Sequence, residues 1–107
     1  MSTQIAWATG IFEGEGYMGK RNTGNSARLT MRMCDFDVVE RVYEIFGCGN
    51  LGLFHPESHK THKPQLGWNV GKKADVIKCL SLMLPYFGYR RAYDALNILD
   101  DLELGIN

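Results

Sequence analysis

The chain has 107 residues, 12 of them lysine or arginine and 12 aspartate or glutamate, so its formal charge at neutral pH is zero. That length suits one domain with a modest core and is too short for two. No apolar run is long enough to span a bilayer, and no basic-then-hydrophobic leader opens the chain. Three cysteines without a C-x-x-C pair predict free thiols in a soluble protein of a reducing compartment.

Hydrophobic periodicity divides the chain. Ile5 to Gly14 predicts a helix with Ile5, Ala8 and Phe12 on one side. Tyr17 to Asn22 and Ala27 to Met33 predict two strands joined by the polar turn N-T-G-N. In the second, Ala27, Leu29, Met31 and Met33 face one way and Arg28, Thr30 and Arg32 the other. Asp35 or Asp37 then caps a helix with the stripe Val38, Val39, Val42, Ile45 and Phe46, ended by Gly47 or Gly49. The order repeats with strands at Leu51 to His55 and Gln65 to Val70, on either side of P-E-S-H-K-T-H-K-P. Leu66, Trp68 and Val70 share one face of the latter, Gln65 and Asn69 the other. A helix from Lys73 to Leu84 turns Val76, Ile77, Leu80 and Leu84 inward, Pro85 interrupts it, and a last helix runs from about Tyr89 to Leu104. The expected class is α+β in the order αββ-αββ-αα: one antiparallel sheet, helices on one face, and a polar face left bare.

Charge is sorted along this order. Lys20, Arg21, Arg28 and Arg32 lie between Tyr17 and Cys34 with no acid among them. Between His55 and Lys73 come Lys60, Lys63, Lys72, Lys73 and three histidines against Glu57. Acids gather at Asp35, Asp37, Glu40 and Glu44 and again at Asp94, Asp100, Asp101 and Glu103. A neutral chain can so present one basic face, as nucleic-acid binders do; a solvated face without function has the same pattern.

The stretch T-G-I-F-E-G-E-G-Y-M-G-K holds a G-x-G-x-x-G at Gly14, Gly16 and Gly19. A dinucleotide fingerprint needs a strand before these glycines and a helix after, and here the order is reversed, which excludes a phosphate loop. Ala6, Gly10 and Gly14 instead recur every fourth residue along one helical ridge. Glycine within a helix costs about 1 kcal/mol relative to alanine, and what a smooth ridge returns is close backbone approach. The approaching backbone is the same helix of a second copy about a twofold axis, or an internal helix of this chain; geometry alone leaves both open. Glu15 sits at the negative end of the helix dipole. Two such carboxylates meeting at a twofold axis call for a cation, and hard oxygen ligands select Mg²⁺. Beside a basic face, such a site suits phosphodiester hydrolysis; a solvated glutamate is the plainer alternative.

A-T-G-I-F-E-G-E-G, Ala8 to Gly16, resembles the motif of the LAGLIDADG homing endonucleases, with Gly10 and Gly16 matching letter for letter and Glu13 and Glu15 standing where aspartates are typical. The resemblance extends through the basic hairpin, helix and second hairpin to the tail W-N-V-G-K-K…L-P-Y-F-G-Y-R-R, and so covers nearly all of residues 1–107 as a single domain. It implies the αββαββα fold, whose sheet forms a DNA-binding saddle. It implies a homodimer joined through Ala6, Gly10 and Gly14. The activity implied is cleavage of both strands of a long pseudo-palindromic DNA duplex with Mg²⁺ or another divalent cation, encoded in a mobile intron or intein. The host compartment would be a bacterial or phage-infected cytoplasm or an organelle. Glu15 would bind the metal and act at the scissile phosphates, the Gly14 carbonyl would also reach the metal, and Glu13 would serve as a cap. Arg90 matches the basic residue at the cleavage centre, with Arg91 as the alternative; arginine there clamps phosphate rather than shuttling protons.

On the same resemblance the sheet face enters the DNA major groove. The contacts implied are Lys20, Arg21, Asn22, Asn25, Arg28, Thr30 and Arg32 from the first hairpin, His55, His59, Lys60, His62, Lys63, Gln65 and Asn69 from the second, and Lys72. Zinc on the three histidines and Cys48 lacks the paired ligand spacing of a structural site. Trp7, Tyr43, Trp68 and Tyr93 are expected to fill core or interface space. A noncatalytic nucleic-acid-binding module, a maturase or regulator, is the alternative use of the scaffold.

Overall fold

The computed structural model describes residues 2–20, 26–55 and 63–103. Arg21, Asn22, Asn25, His59, Lys60 and His62 lie outside them. The elements follow the expected order: α1 (Thr3–Glu15), β1 (Gly16–Lys20), β2 (Ala27–Met33), α2 (Phe36–Phe46), β3 (Asn50–Phe54), β4 (Gln65–Val70), α3 (Lys73–Met83), a 3-10 turn (Leu84–Tyr86) and α4 (Tyr89–Glu103). The four strands form one antiparallel sheet in the order β1-β2-β4-β3, so the two hairpins meet through β2 and β4, with Met31 opposite Trp68.

Local chemistry accounts for the element ends. The Ser2 hydroxyl accepts from the Ile5 N–H at 3.1 Å and caps α1. The helix runs one residue past Gly14, and β1 follows Glu15 without a loop. A Cβ on Gly16 would stand 2.6 Å from the Phe12 carbonyl oxygen, so only glycine lets the helix turn straight into the strand. Asp35 starts α2 through its carbonyl, which accepts from Val38 and Val39; its side chain makes no cap bond, contrary to expectation. Gly47 closes α2 in the left-handed region, its N–H on the Tyr43 carbonyl at 2.9 Å. Before Pro85, α3 stops at Met83, which is buried with Cys79, while Leu84 starts the 3-10 turn half-buried rather than closing the helical stripe.

One face of the sheet joins the helices in a single core. Met18, Ala27, Leu29, Met31, Leu66, Trp68 and Val70 are buried there with Val39 and Val42 of α2, Val76, Leu80 and Met83 of α3, and Ile98, Leu99 and Leu102 of α4. Trp68 is the keystone. Its ring meets Phe12 edge-on at 6.3 Å, stacks on Phe46 at 5.3 Å, and its indole N–H donates to the Cys48 carbonyl at 2.9 Å. The end of α1 and the end of α2 are therefore both held against the central strand β4. Trp7 and Tyr43 pack on the margin of this core, with Arg41 4.5 Å over the Trp7 ring, whereas Tyr93 stands outside it, 67% exposed.

Candidate nucleic-acid interface

None of the four strands contains an acid. Their alternation and register set the outward side chains in rows: Tyr17, Thr30, Asn69 and Asn50 across the middle, Arg28 beside Gly19, Arg32 beside Gly67 and Gly52, and Gln65 beside Phe54. Thr30 Oγ1 donates to Asn69 Oδ1 at 2.7 Å, which orients the asparagine and leaves its amide N–H groups as donors. Arg32 reaches from β2 across β4, and its guanidinium lies 4.2 Å over the Phe54 ring on β3. Gly67 makes that crossing possible: a Cβ there would stand 3.1 Å from Arg32 Cγ. Stacking holds the guanidinium plane while its edge donors stay free for phosphate or base edges. Arg28 is exposed on the same face. His55, Lys63 and Lys72 are exposed beyond the strand ends, Lys72 at the N-cap position of α3.

A second feature is built where α1 ends and α4 begins. Glu13 Oε2 accepts from the Gly88 N–H at 2.7 Å, so the carboxylate of one helix caps the start of the other. In return Arg91 Nη2 donates to the Glu13 carbonyl at 3.0 Å and the Gly16 carbonyl at 2.9 Å, with its guanidinium 5.9 Å from the Phe12 ring centre. Glu15 projects beside this junction, exposed and, among the described residues, without a hydrogen bond or ion pair. Arg90 is equally exposed and unpaired among the described residues, at the rim of a groove of about 510 Å³ lined by Tyr89, Ala92, Tyr93 and Leu96.

The ridge of α1 is open. Gly10 and Gly14 are exposed, and a Cβ on either would meet no atom within 4 Å, so no described helix of this chain packs there. The helix is apolar nearly all round, yet it buries only Ala8, Thr9 and Phe12. For a divalent cation, Glu15 and the Gly14 carbonyl present two hard oxygens. No group of three or more His, Cys, Asp or Glu that could hold a metal lies together among the described residues. That donor set fits Mg²⁺, which keeps several waters and shares its shell with phosphate oxygens, and it does not make a closed structural site.

By sequence, no family model matches the chain and no curated protein is significantly similar to it. By structure, it resembles the homing endonuclease I-CvuI in complex with its target at TM-score 0.71 and 17% identity, over 97% of this chain and 68% of that one. It resembles the group I intron-encoded homing endonuclease I-CeuI complexed with DNA at 0.74 and 16%, over 97% and 56%. The LAGLIDADG meganuclease I-CpaMI bound to uncleaved DNA matches at 0.72 and 12%, over 96% of this chain but 37% of that one. The chain has the LAGLIDADG homing-endonuclease fold. The expected α+β architecture holds.

Within the LAGLIDADG frame, the expected site residues divide. Arg28, Thr30, Arg32, Gln65 and Asn69 share the bare face. Lys20 is a correction: it alternates with Met18 on the helix side of β1 and forms an ion pair with Asp101 of α4. The apolar Met18 two residues earlier carries that signal in the sequence. Tyr17, Asn50 and Phe54 also belong to the bare face: alternation within the expected strands assigns Tyr17 and Phe54, which carry neither cation nor amide, while Asn50 lies one residue before the strand expected from Leu51. Of the two candidate arginines, Arg91 is tied into the helix junction and Arg90 has no partner among the described residues. Of the residues considered for zinc, Cys48 has turned to Cys79, their sulfurs 3.4 Å apart, and burial, with the Cys48 hydrogen bond second, pushes the Cys79 thiol pKa up. No described helix is long and apolar enough to cross a membrane.

Proposed function

We propose that this chain is a site-specific DNA endonuclease that acts as a homodimer on a long, pseudo-palindromic duplex and cleaves both strands with Mg²⁺ or another divalent cation. The observation that carries the reading is at the end of α1, where Glu15 stands exposed and unpaired among the described residues beside an acid-free sheet face bearing Arg28 and Arg32. A divalent cation held by the Glu15 carboxylate and the Gly14 carbonyl would activate a water and offset charge on the attacked phosphate. The chain's own groups do the rest. Arg28, Arg32, Thr30, Gln65 and Asn69 bind the duplex through phosphates and base edges. Arg90, exposed at the start of α4, clamps a phosphate bidentately; it does not move protons.

The open ridge supports the dimer. Ala6, Gly10 and Gly14 lie along one smooth ridge, and no described atom comes within 4 Å of where a Cβ on Gly10 or Gly14 would stand. Twofold pairing along it brings two Glu15 side chains and two basic sheets together, and a twofold reader matches a palindromic site.

The test uses the DNA flanking the gene, joined across the insertion, because a mobile element interrupts its own target. Wild-type protein should cut it with Mg²⁺ and not with EDTA. Glu15→Gln should bind it with unchanged affinity and leave it intact; cleavage retained in that variant would sink the assignment. Binding without any cleavage by the wild type would instead make the chain a noncatalytic binder on this scaffold.

A further inference from the structure

We propose that Arg91 is a positioning residue: by holding the carbonyls on either side of the α1–β1 junction, those of Glu13 and Gly16, it sets Glu15 against Arg90. The inference rests on the function proposed above. Helix α1 leaves its terminal carbonyls without intrahelical partners, and such an end frays unless capped. The Phe12 carbonyl is taken by the Gly16 N–H. Arg91 takes those of Glu13 and Gly16 with a single nitrogen, at 3.0 and 2.9 Å, and leaves that of the exposed Gly14 outside its grasp. Glu15 lies between the two residues so held. Glu13 completes the exchange by capping α4 through Gly88. Each helix therefore caps the other across 75 to 78 residues of sequence. Arg90 follows from the same construction, since it is next to Arg91 in the first turn of α4. No hydrogen bond or ion pair joins Glu15 to Arg90 among the described residues, so the double cap is what fixes one relative to the other.

The guanidinium also puts positive charge at the negative pole of α1, near the exposed Glu15 carboxylate. Arg91 is half-buried and near the Phe12 ring, whereas Arg90 is exposed. The two adjacent arginines are thus divided between holding the scaffold and meeting the ligand.

The experiment compares wild type, Arg91→Met and Arg91→Lys in three measurements. Amide exchange reads the cap directly. In Arg91→Met the Gly16 N–H, which closes α1 on Phe12, should exchange at least about tenfold faster, while the Trp68 indole N–H, deep in the core, should not change. Single-turnover cleavage should slow by about a hundredfold, the effect of a reacting group misplaced by roughly one ångström. DNA affinity should be unchanged, and so should the slope of its logarithm against log salt. Arg91→Lys keeps a cation and a long stem and should recover part of both the exchange protection and the rate. A salt slope reduced by about 0.9 in Arg91→Met would make Arg91 a phosphate contact and overturn the proposal. Unchanged Gly16 exchange, unchanged cleavage, or a lysine variant no better than methionine would also overturn it. If the wild type cuts no DNA, the proposed function fails, and Gly16 exchange still decides whether Arg91 holds the helix end.

Discussion

Gly10→Ala separates the folding of one copy from the pairing of two, because the two respond with opposite sign. Inside the chain, the new methyl meets no atom within 4 Å and sits mid-helix. Replacing glycine by alanine at such a position stabilises a helix by about 1 kcal/mol, which raises the midpoint of a domain this size by about 4 °C. In the proposed dimer the methyl is duplicated across the twofold axis and falls on the ridge where the two backbones would approach. Overpacking a close contact costs about 1–3 kcal/mol per site, so two crowded sites weaken pairing by about 2–6 kcal/mol, or at least roughly thirtyfold in dissociation constant. Sedimentation velocity over a range of concentrations, with and without target DNA, reads the pairing; thermal melts at the lowest concentration read the fold. The expected result is a variant that melts higher as a monomer yet dimerises at higher concentration than wild type. A wild type that stays monomeric even on DNA, or Gly10→Ala and Gly10→Leu that dimerise as it does, would refute the assignment of this ridge to a second copy.

Two further outcomes follow from the sheet and the core. Arg28→Ala and Arg32→Ala should each lower the salt slope of duplex binding by about 0.9 if the guanidinium neutralises one phosphate. Lys20→Met should leave that slope unchanged, since Lys20 pairs with Asp101 on the opposite face. The raised Cys79 pKa gives a pH dependence: the folded state holds the thiol proton more tightly than the unfolded chain. Its contribution to stability is complete below the ordinary thiol value of 9.0 and declines as pH rises above it. Urea melts from pH 7 to 10 should show that decline, and Cys79→Ala should make it shallower. In native protein iodoacetamide should modify exposed Cys34 and spare buried Cys79.

Much of this protein could be read without its structure. Alternation at period two assigned Leu29 and Met31 inward and Arg28 and Arg32 outward, and the recurrence of Ala6, Gly10 and Gly14 at every fourth residue marked a smooth ridge. These are local periodicities of a strand and a helix, so a short stretch of chain contains them. Tertiary structure decided what depends on contacts between distant segments. Lys20, turned to the helix side by its alternation with Met18, finds its partner Asp101 across 81 residues; Arg91 meets Glu13 across 78 and becomes an anchor rather than a rival to Arg90. Arg32 finds Phe54 only because β4 offers Gly67 between them. A cation's role is set by which carboxylate, carbonyl or ring packing brings within about 3–6 Å of it, and charge type alone carries no such distance. The order of elements and the facing of the alternating strand residues were therefore written in the sequence, whereas the division of labour among its cations was settled by how the helix ends and strands came together.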